Sequence, residues 1–267
     1  MVGTNLEEKS LEARKIATKI SADGKAAHCG SCLSVIDILV SLYFGVFDKG
    51  LAPNSPDRPN IILSKGHSVG ALYAILYLKG YMGVDTLRTY HKNGGLPAHA
   101  DTSTNGVDFS TGSLGHGLAV GTGMALSAKI DGRKTPTIVV MGDGECQEGE
   151  VWEAVNFAVA KKISSLVVVV DSNGLQAYDS AKILGPNIAE KWAGFGWKVI
   201  KCNGHDLNAL CDSVRSALSY GSPSVVIAET TKGRGMPSLE GKVESHYRTP
   251  KGDEFGDPFE NGCGNKA

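Results

Sequence analysis

Apolar residues at Leu6, Leu11, Ile16 and Ile20 recur at helical spacing and predict an amphipathic helix over 5–20. The stretch SVIDILVSLYF, 34–44, is apolar nearly all round and predicts a more deeply buried helix, with Ser34 in the place of an N-cap. Three prolines in LAPNSPDRPN, 51–60, mark a loop. A short strand (NIILSKGH) follows, then a helix over 68–80 and a shorter one near 84–91.

Residues 93–117, NGGLPAHADTSTNGVDFSTGSLGHG, are rich in Gly and polar residues and too long for an ordinary connection, which points to a functional loop. A Gly/Ala-rich helix is expected over 117–130. From there strands alternate with helices: strands over 136–141, 165–171, 197–201 and 223–229, helices over 149–162, 187–194 and 206–219. Such alternation implies right-handed crossovers and a parallel sheet. The runs VVVV and SVVIA are apolar without alternation, as in strands covered on both faces. The expected fold class is α/β, an open, mostly parallel sheet with helices on both faces. One domain over 1–250 and a loose tail over 251–267 are the simplest division.

Composition adds few constraints. The chain has 267 residues, 42% apolar and 21% charged, with a net charge of −1. That charge leaves no electrostatic footprint for nucleic acid or an anionic membrane. The run 166–170 is too short to span a bilayer. The N-terminus MVGTNLEEKSLEARK has acids and no apolar core of a signal peptide, so a cytoplasmic protein is expected. Of six cysteines, Cys29 and Cys32 alone form a C-x-x-C pair. A zinc site would need a second pair, so reduced thiols are expected.

The candidate chemistry lies in GDGECQEGEVWEAVNFAVAKKISSLVVVVDSNG, 142–174. Asp143 and Asn173 each follow a predicted strand, and in open parallel sheets ligands gather at the carboxyl ends of strands. An acid and an amide are hard-oxygen donors, suited to Mg²⁺ or Ca²⁺ (or Mn²⁺), not zinc. Mg²⁺ commonly completes its shell with phosphate oxygens, and the glycines beside Asp143 allow a phosphate close to backbone N–H groups. Asp-Gly and Asn-Gly are each ordinary turn chemistry. Their placement after successive strands suggests a metal-bridged diphosphate.

GDGECQEGEVWEA followed by DSNGL resembles the thiamine diphosphate motif of transketolases. SKGH (64–67), PAH (97–99), TGSLGHG (111–117), TTKGRG (230–235) and Glu244-Ser245-His246 resemble further transketolase segments, in order. The resemblance spans about residues 10–248 and implies the diphosphate-binding domain of the thiamine diphosphate-binding fold. A complete transketolase is more than twice as long, so the chain resembles the N-terminal subunit of a split transketolase. The resemblance implies Mg²⁺ held by Asp143, Asn173 and the Leu175 carbonyl, and diphosphate contacts from His67 and the Gly144 N–H. It implies that Gly112, Ser113 and Leu114 lie against the cofactor rings. His28, His99 and His246 would bind sugar hydroxyls and move protons, with His246 also reaching the diphosphate. Glu148 and Glu153 would join a carboxylate network at the subunit boundary, Glu148 with a catalytic part. His91, His116 and His205 are left as structural.

The same resemblance implies transfer of a two-carbon ketol unit from a ketose (phosphate) to an aldose (phosphate). Thiamine chemistry also needs a glutamate from a pyrimidine-binding domain, which this chain does not contain. A partner subunit carrying that domain is therefore expected, as an α₂β₂ assembly with sites at the interfaces. Ala27-His28-Cys29-Gly30 departs from the family's Gly-His-Pro-Gly, which keeps open a specialised two-carbon transferase on an unusual sugar. Two other readings remain: half of a 2-oxoacid decarboxylating thiamine enzyme, and a non-catalytic relative that only binds cofactor or regulates a partner.

Overall fold

The computed structural model describes residues 5–48, 52–53, 55–181, 187–250 and 259. Helix α1 (Leu6–Asp23) is capped by Asn5, whose side chain accepts from the Glu8 N–H at 3.3 Å. It buries Ala13, Ile16, Ala17 and Ile20. Leu11 is 50% exposed and lies off that face, contrary to the expected apolar stripe. Helix α2 (Cys29–Val40) is buried at every position and continues into a π-helical turn, Ser41–Val46. It starts five residues earlier than expected. His28, in left-handed conformation (φ 66°), offers its carbonyl to the N–H groups of Ser31 and Cys32, so Ser34 is not the cap. The Ser34 hydroxyl instead bonds Asp171 at 2.6 Å. Cys29–Val46 is long and apolar enough to cross a membrane by length and composition, yet 89% of it is buried within the fold. All-round burial explains why it lacks a polar face.

Strand β1 (Asn60–Leu63) leads through a 3-10 turn into α3 (Val69–Leu78). The helix expected near 84–91 is the single turn α4 (Val84–Leu87). The long loop then crosses back to β1: Thr111 donates to the Leu63 carbonyl at 2.9 Å, and half-buried Asp108 pairs with Arg58 and accepts from the Ile61 N–H. This delivers residues 112–114 to the carboxyl end of β1. Next come α5 (His116–Ile130), β2 (Thr137–Gly142), α6 (Gly149–Ala160), β3 (Leu166–Ser172), α7 (Ile188–Gly194), β4 (Lys198–Asn203), α8 (Leu207–Ser219) and β5 (Ser224–Glu229).

The five strands are parallel, in the order β1-β2-β3-β5-β4. Along β3, Val167 and Val169 enter the core shared with α1, α2, α3 and α8, while Val168 and Val170 enter the core shared with α5, α6 and α7. The expected open parallel sheet with helices on both faces is therefore found. Gly142 pairs with Asp171, so β2 and β3 end side by side. The expected tail at 251–267 lies outside the described residues, apart from residue 259.

Candidate active site

The carboxyl ends of β1, β2, β3 and β5 surround a cleft of about 520 Å³. Asp143, one residue past β2, is buried. Its Oδ1 accepts from the Gly144 N–H at 2.8 Å and its Oδ2 from the Gly174 N–H at 2.6 Å. Burial pushes this carboxyl up to about 6, against those two bonds, and the charge of Asp171 adds to the rise. Asn173 lies just past β3. Its amide donates to the Ser34 hydroxyl at 3.3 Å, and its Oδ1 accepts from the Leu175 N–H at 3.1 Å. The two side chains thus share one crevice because their strands are neighbours in register. Among the described residues no group of three or more His, Cys, Asp or Glu side chains is placed to hold a metal. At the paired ends of β2 and β3 the cleft offers the Asp143 carboxylate, the Asn173 amide and backbone carbonyls.

Two buried lysines line the same cleft. Lys65, after β1, pairs with Asp171, which also accepts from Ser34 and Thr230. Lys232, after β5, is 1% exposed and donates to the carbonyls of Leu175 at 3.4 Å and Gln176 at 3.1 Å. Burial, then the charge of Lys65, pulls Lys232 down to about 8. The Leu175 carbonyl therefore already faces a positive group.

Three imidazoles form the other wall. The ring of His28 lies 4.7 Å from His246 and 5.1 Å from His67, and His67 lies 5.7 Å from His246. Lys232 Nζ is 3.0 Å from His246 Nδ1. An ammonium can only donate, so Nδ1 accepts and Nε2 carries the proton. Burial, then nearby positive groups, pulls His28 down to about 4 and His246 to about 3, and puts His67 well below its ordinary value. All three are neutral at pH 7. His28 Nδ1 is buried without a hydrogen-bond partner, an acceptor or donor left for a ligand. His99 is exposed at the rim and lines the cleft with Gly112 and Leu114.

The structure gathers His28, His67, His99, Gly112, Leu114, Asp143, Gly144, Glu148, Asn173, Leu175 and His246 around this cleft. Ser113 and Glu153 are exposed and do not line it. Glu148 stands just before α6, where its side chain makes no capping bond. Sequence reasoning passed over Glu145, which lines the cleft and is buried, accepting from Ser64, the Gly115 N–H at 2.9 Å and the Gly142 N–H at 3.1 Å. It also passed over Lys65 and Lys232, although both stand inside quoted motifs, and Asp171, the acid that closes the valine run. A buried charge is unusual unless paired, and that test needs burial to be known.

Fold and cleft define an open α/β protein in which the carboxyl ends of the sheet strands carry hard-oxygen donors beside buried ammonium groups. The chain belongs to the transketolase family: the family described as "Transketolase, thiamine diphosphate binding domain" matches residues 8–257. It is 40% identical to an apulose-4-phosphate transketolase subunit of Actinobacillus succinogenes, over 93% of this chain and 92% of that one. It is 35% identical to the 6-deoxy-6-sulfo-D-fructose transketolase subunit SqwG of a Clostridium species, over 91% and 90%. The transketolase of Campylobacter jejuni has the same fold, with a TM-score of 0.88 at 27% identity, covering 95% of this chain and 43% of that one. The chain thus spans most of the two subunits and about two fifths of the full-length enzyme. The expected transketolase-type transferase subunit is borne out.

Proposed function

We propose that this chain is the diphosphate-binding subunit of a two-chain transketolase that holds thiamine diphosphate through Mg²⁺. Asp143, Asn173 and the Leu175 carbonyl would hold the ion. Their hard-oxygen character, a buried carboxylate whose charge burial opposes, and the Leu175 carbonyl already facing the Lys232 ammonium all support the fit. Lys65, Lys232, His67 and the Gly144 N–H stand where they would meet diphosphate charge. When bound, thiamine diphosphate supplies the electron sink for cleaving and forming the carbon–carbon bond. The chain's own part is to orient and desolvate. His28, His99 and His246 present imidazole nitrogens to sugar hydroxyls and carry protons between them, the rings of His28 and His246 being neutral at pH 7. Gly112 and Leu114 supply a close backbone and an apolar wedge, with Ser113 between them. Glu148 and Glu153, on the exposed side, are read as the boundary carboxylates.

The pyrimidine-binding half of the site would come from a partner subunit, in an α₂β₂ arrangement of cytoplasmic location. Leu114 at the cleft, Ile130 on α5 and Phe157 on α6 are exposed large apolar residues that support such a partner. The reaction would be ketol transfer from a ketose phosphate to an aldose phosphate. The names of the relatives and the altered Ala27-His28-Cys29-Gly30 loop favour a donor outside the common pentose phosphates. The observation that carries the reading is the pairing of Asp143 and Asn173 at adjacent strand ends. It is tested by calorimetry on the chain mixed with the proposed pyrimidine-domain partner subunit. Mg²⁺-dependent uptake of thiamine diphosphate, lost in Asp143→Ala, is expected. Turnover of pyruvate and not of xylulose 5-phosphate or other ketose phosphates would replace this reading with 2-oxoacid decarboxylation.

A further inference from the structure

We propose that His205 is a positioning residue for the cleft: its unprotonated Nε2 holds the Thr231 backbone and so fixes where the neighbouring Lys232 delivers its ammonium. This rests on the function proposed above only for what that ammonium meets.

His205 follows β4, and its side chain is 11% exposed. Nδ1 lies 2.7 Å from Asp37 Oδ2, and Nε2 lies 2.8 Å from the Thr231 amide nitrogen. A peptide N–H can only donate, so Nε2 must offer its lone pair. A neutral imidazole has one N–H, which therefore sits on Nδ1 and donates to Asp37. The geometry selects one tautomer. Asp37 is fixed in turn by Arg14 and Ser10 from α1, and Arg14 also donates to the Leu33 carbonyl at 2.6 Å.

The held segment is the step from the sheet into the cleft. Ladder pairing of β5 ends at Glu229. Beyond it the Thr230 N–H still finds the Ser172 carbonyl at 3.1 Å, and the Gly233 N–H finds the Gly30 carbonyl at 2.9 Å. Between these two backbone anchors, the Thr231 N–H takes the imidazole as its acceptor. Lys232 departs from that point toward the carbonyls of Leu175 and Gln176 and toward His246. Close approach of the two loops is permitted by Gly204, where a Cβ would strike the Glu229 carbonyl oxygen at 2.9 Å. The relay therefore runs from Asp37 through the imidazole and one peptide bond to the ammonium.

Two amides dissect this arrangement. Asn places its amide near the position of Nδ1 and does not reach Thr231; Gln places its amide oxygen near the position of Nε2. His205→Asn is expected to keep the donor to Asp37 and the melting temperature, and to lose hydrogen-exchange protection at the Thr231 amide. Thiamine diphosphate, titrated with Mg²⁺ on the chain with its pyrimidine-domain partner, should then bind about tenfold more weakly. His205→Gln is expected to lower the melting temperature through loss of the imidazole donor to Asp37 while binding within about threefold of wild type. A purely structural role predicts the reverse coupling, with affinity following melting temperature in both variants, and that result overturns the proposal. So does a ¹⁵N spectrum that puts the His205 proton on Nε2. Should wild type take up no thiamine diphosphate, the proposed function fails. The positioning role is then decided by the tautomer and by the Thr231 amide in the free chain.

Discussion

The Lys65 ammonium is paired with the Asp171 carboxylate at the cleft, with 3% and 0% of the two side chains exposed. Serine and threonine hydroxyls from α2 and the β5 loop, Ser34 and Thr230, complete the shell of that carboxylate. Taking one partner from a buried pair leaves an uncompensated charge. Lys65→Met is therefore expected to cost about 3–5 kcal/mol in urea denaturation. The double variant Lys65→Met/Asp171→Asn should recover part of that loss. Equal loss in the single and the double variant would mean that the charge of Asp171 is not what matters.

The neutral histidine cluster makes stability depend on pH in a defined direction. Unfolded imidazoles take up protons near 6.5, whereas folded His28 does so near 4 and His246 near 3. Between those values the unfolded chain binds more protons, so stability falls as the pH drops from about 6.5 toward 4. His28→Asn removes one such group and tolerates the left-handed backbone there (φ 66°). Wild type should lose more stability than His28→Asn across that window, measured as urea midpoints. Parallel curves would mean that His28 titrates normally in the fold.

Much of this architecture is legible along the chain because its period and punctuation agree. The strands expected over 136–141 and 165–171 appear as Thr137–Gly142 and Leu166–Ser172, shifted by one residue. Val167 to Val170 are buried on both faces, which is why their sequence does not alternate. Asp143 and Asn173 are legible as a pair because glycine follows each one. The start of α2 is not, because Gly30 is a poor helix former and its turn is held by distant packing, with the Gly233 N–H on the Gly30 carbonyl. Glu145 and Lys232 are equally silent, since a strand-end charge looks the same whether solvated or buried. His205 was expected to be structural; its two partners, Asp37 and Thr231, are 168 and 26 residues away.

Two glycines should respond to alanine with opposite signs. A Cβ on Gly30 would lie 2.7 Å from the Ser245 Cβ and 2.8 Å from its carbonyl oxygen, driving into the turn that carries His246. Gly30→Ala is expected to cost about 1–3 kcal/mol. Gly123 lies on the exposed face of α5, where an added methyl would meet nothing within 4 Å. Gly123→Ala should stabilise the free chain by about 0.5–1 kcal/mol through helix propensity. Equal effects in thermal unfolding would mean that the contact with Ser245 yields without resistance.

Asp143 is where stability and function should part company. Its carboxylate is buried, accepts two backbone N–H groups and carries a charge that burial opposes, raising it to about 6. Such a group weighs against folding until a cation arrives. Asp143→Asn keeps the size and an acceptor oxygen but removes that charge. In the free chain without divalent ions at pH 7, the variant should melt no lower than wild type. Adding Mg²⁺ with thiamine diphosphate to the assembled pair should raise the melting temperature of wild type by mass action and leave Asp143→Asn unmoved. A variant that gains the same shift would place the cation elsewhere in the cleft, and a wild type insensitive to the ion and cofactor would overturn the cation site altogether.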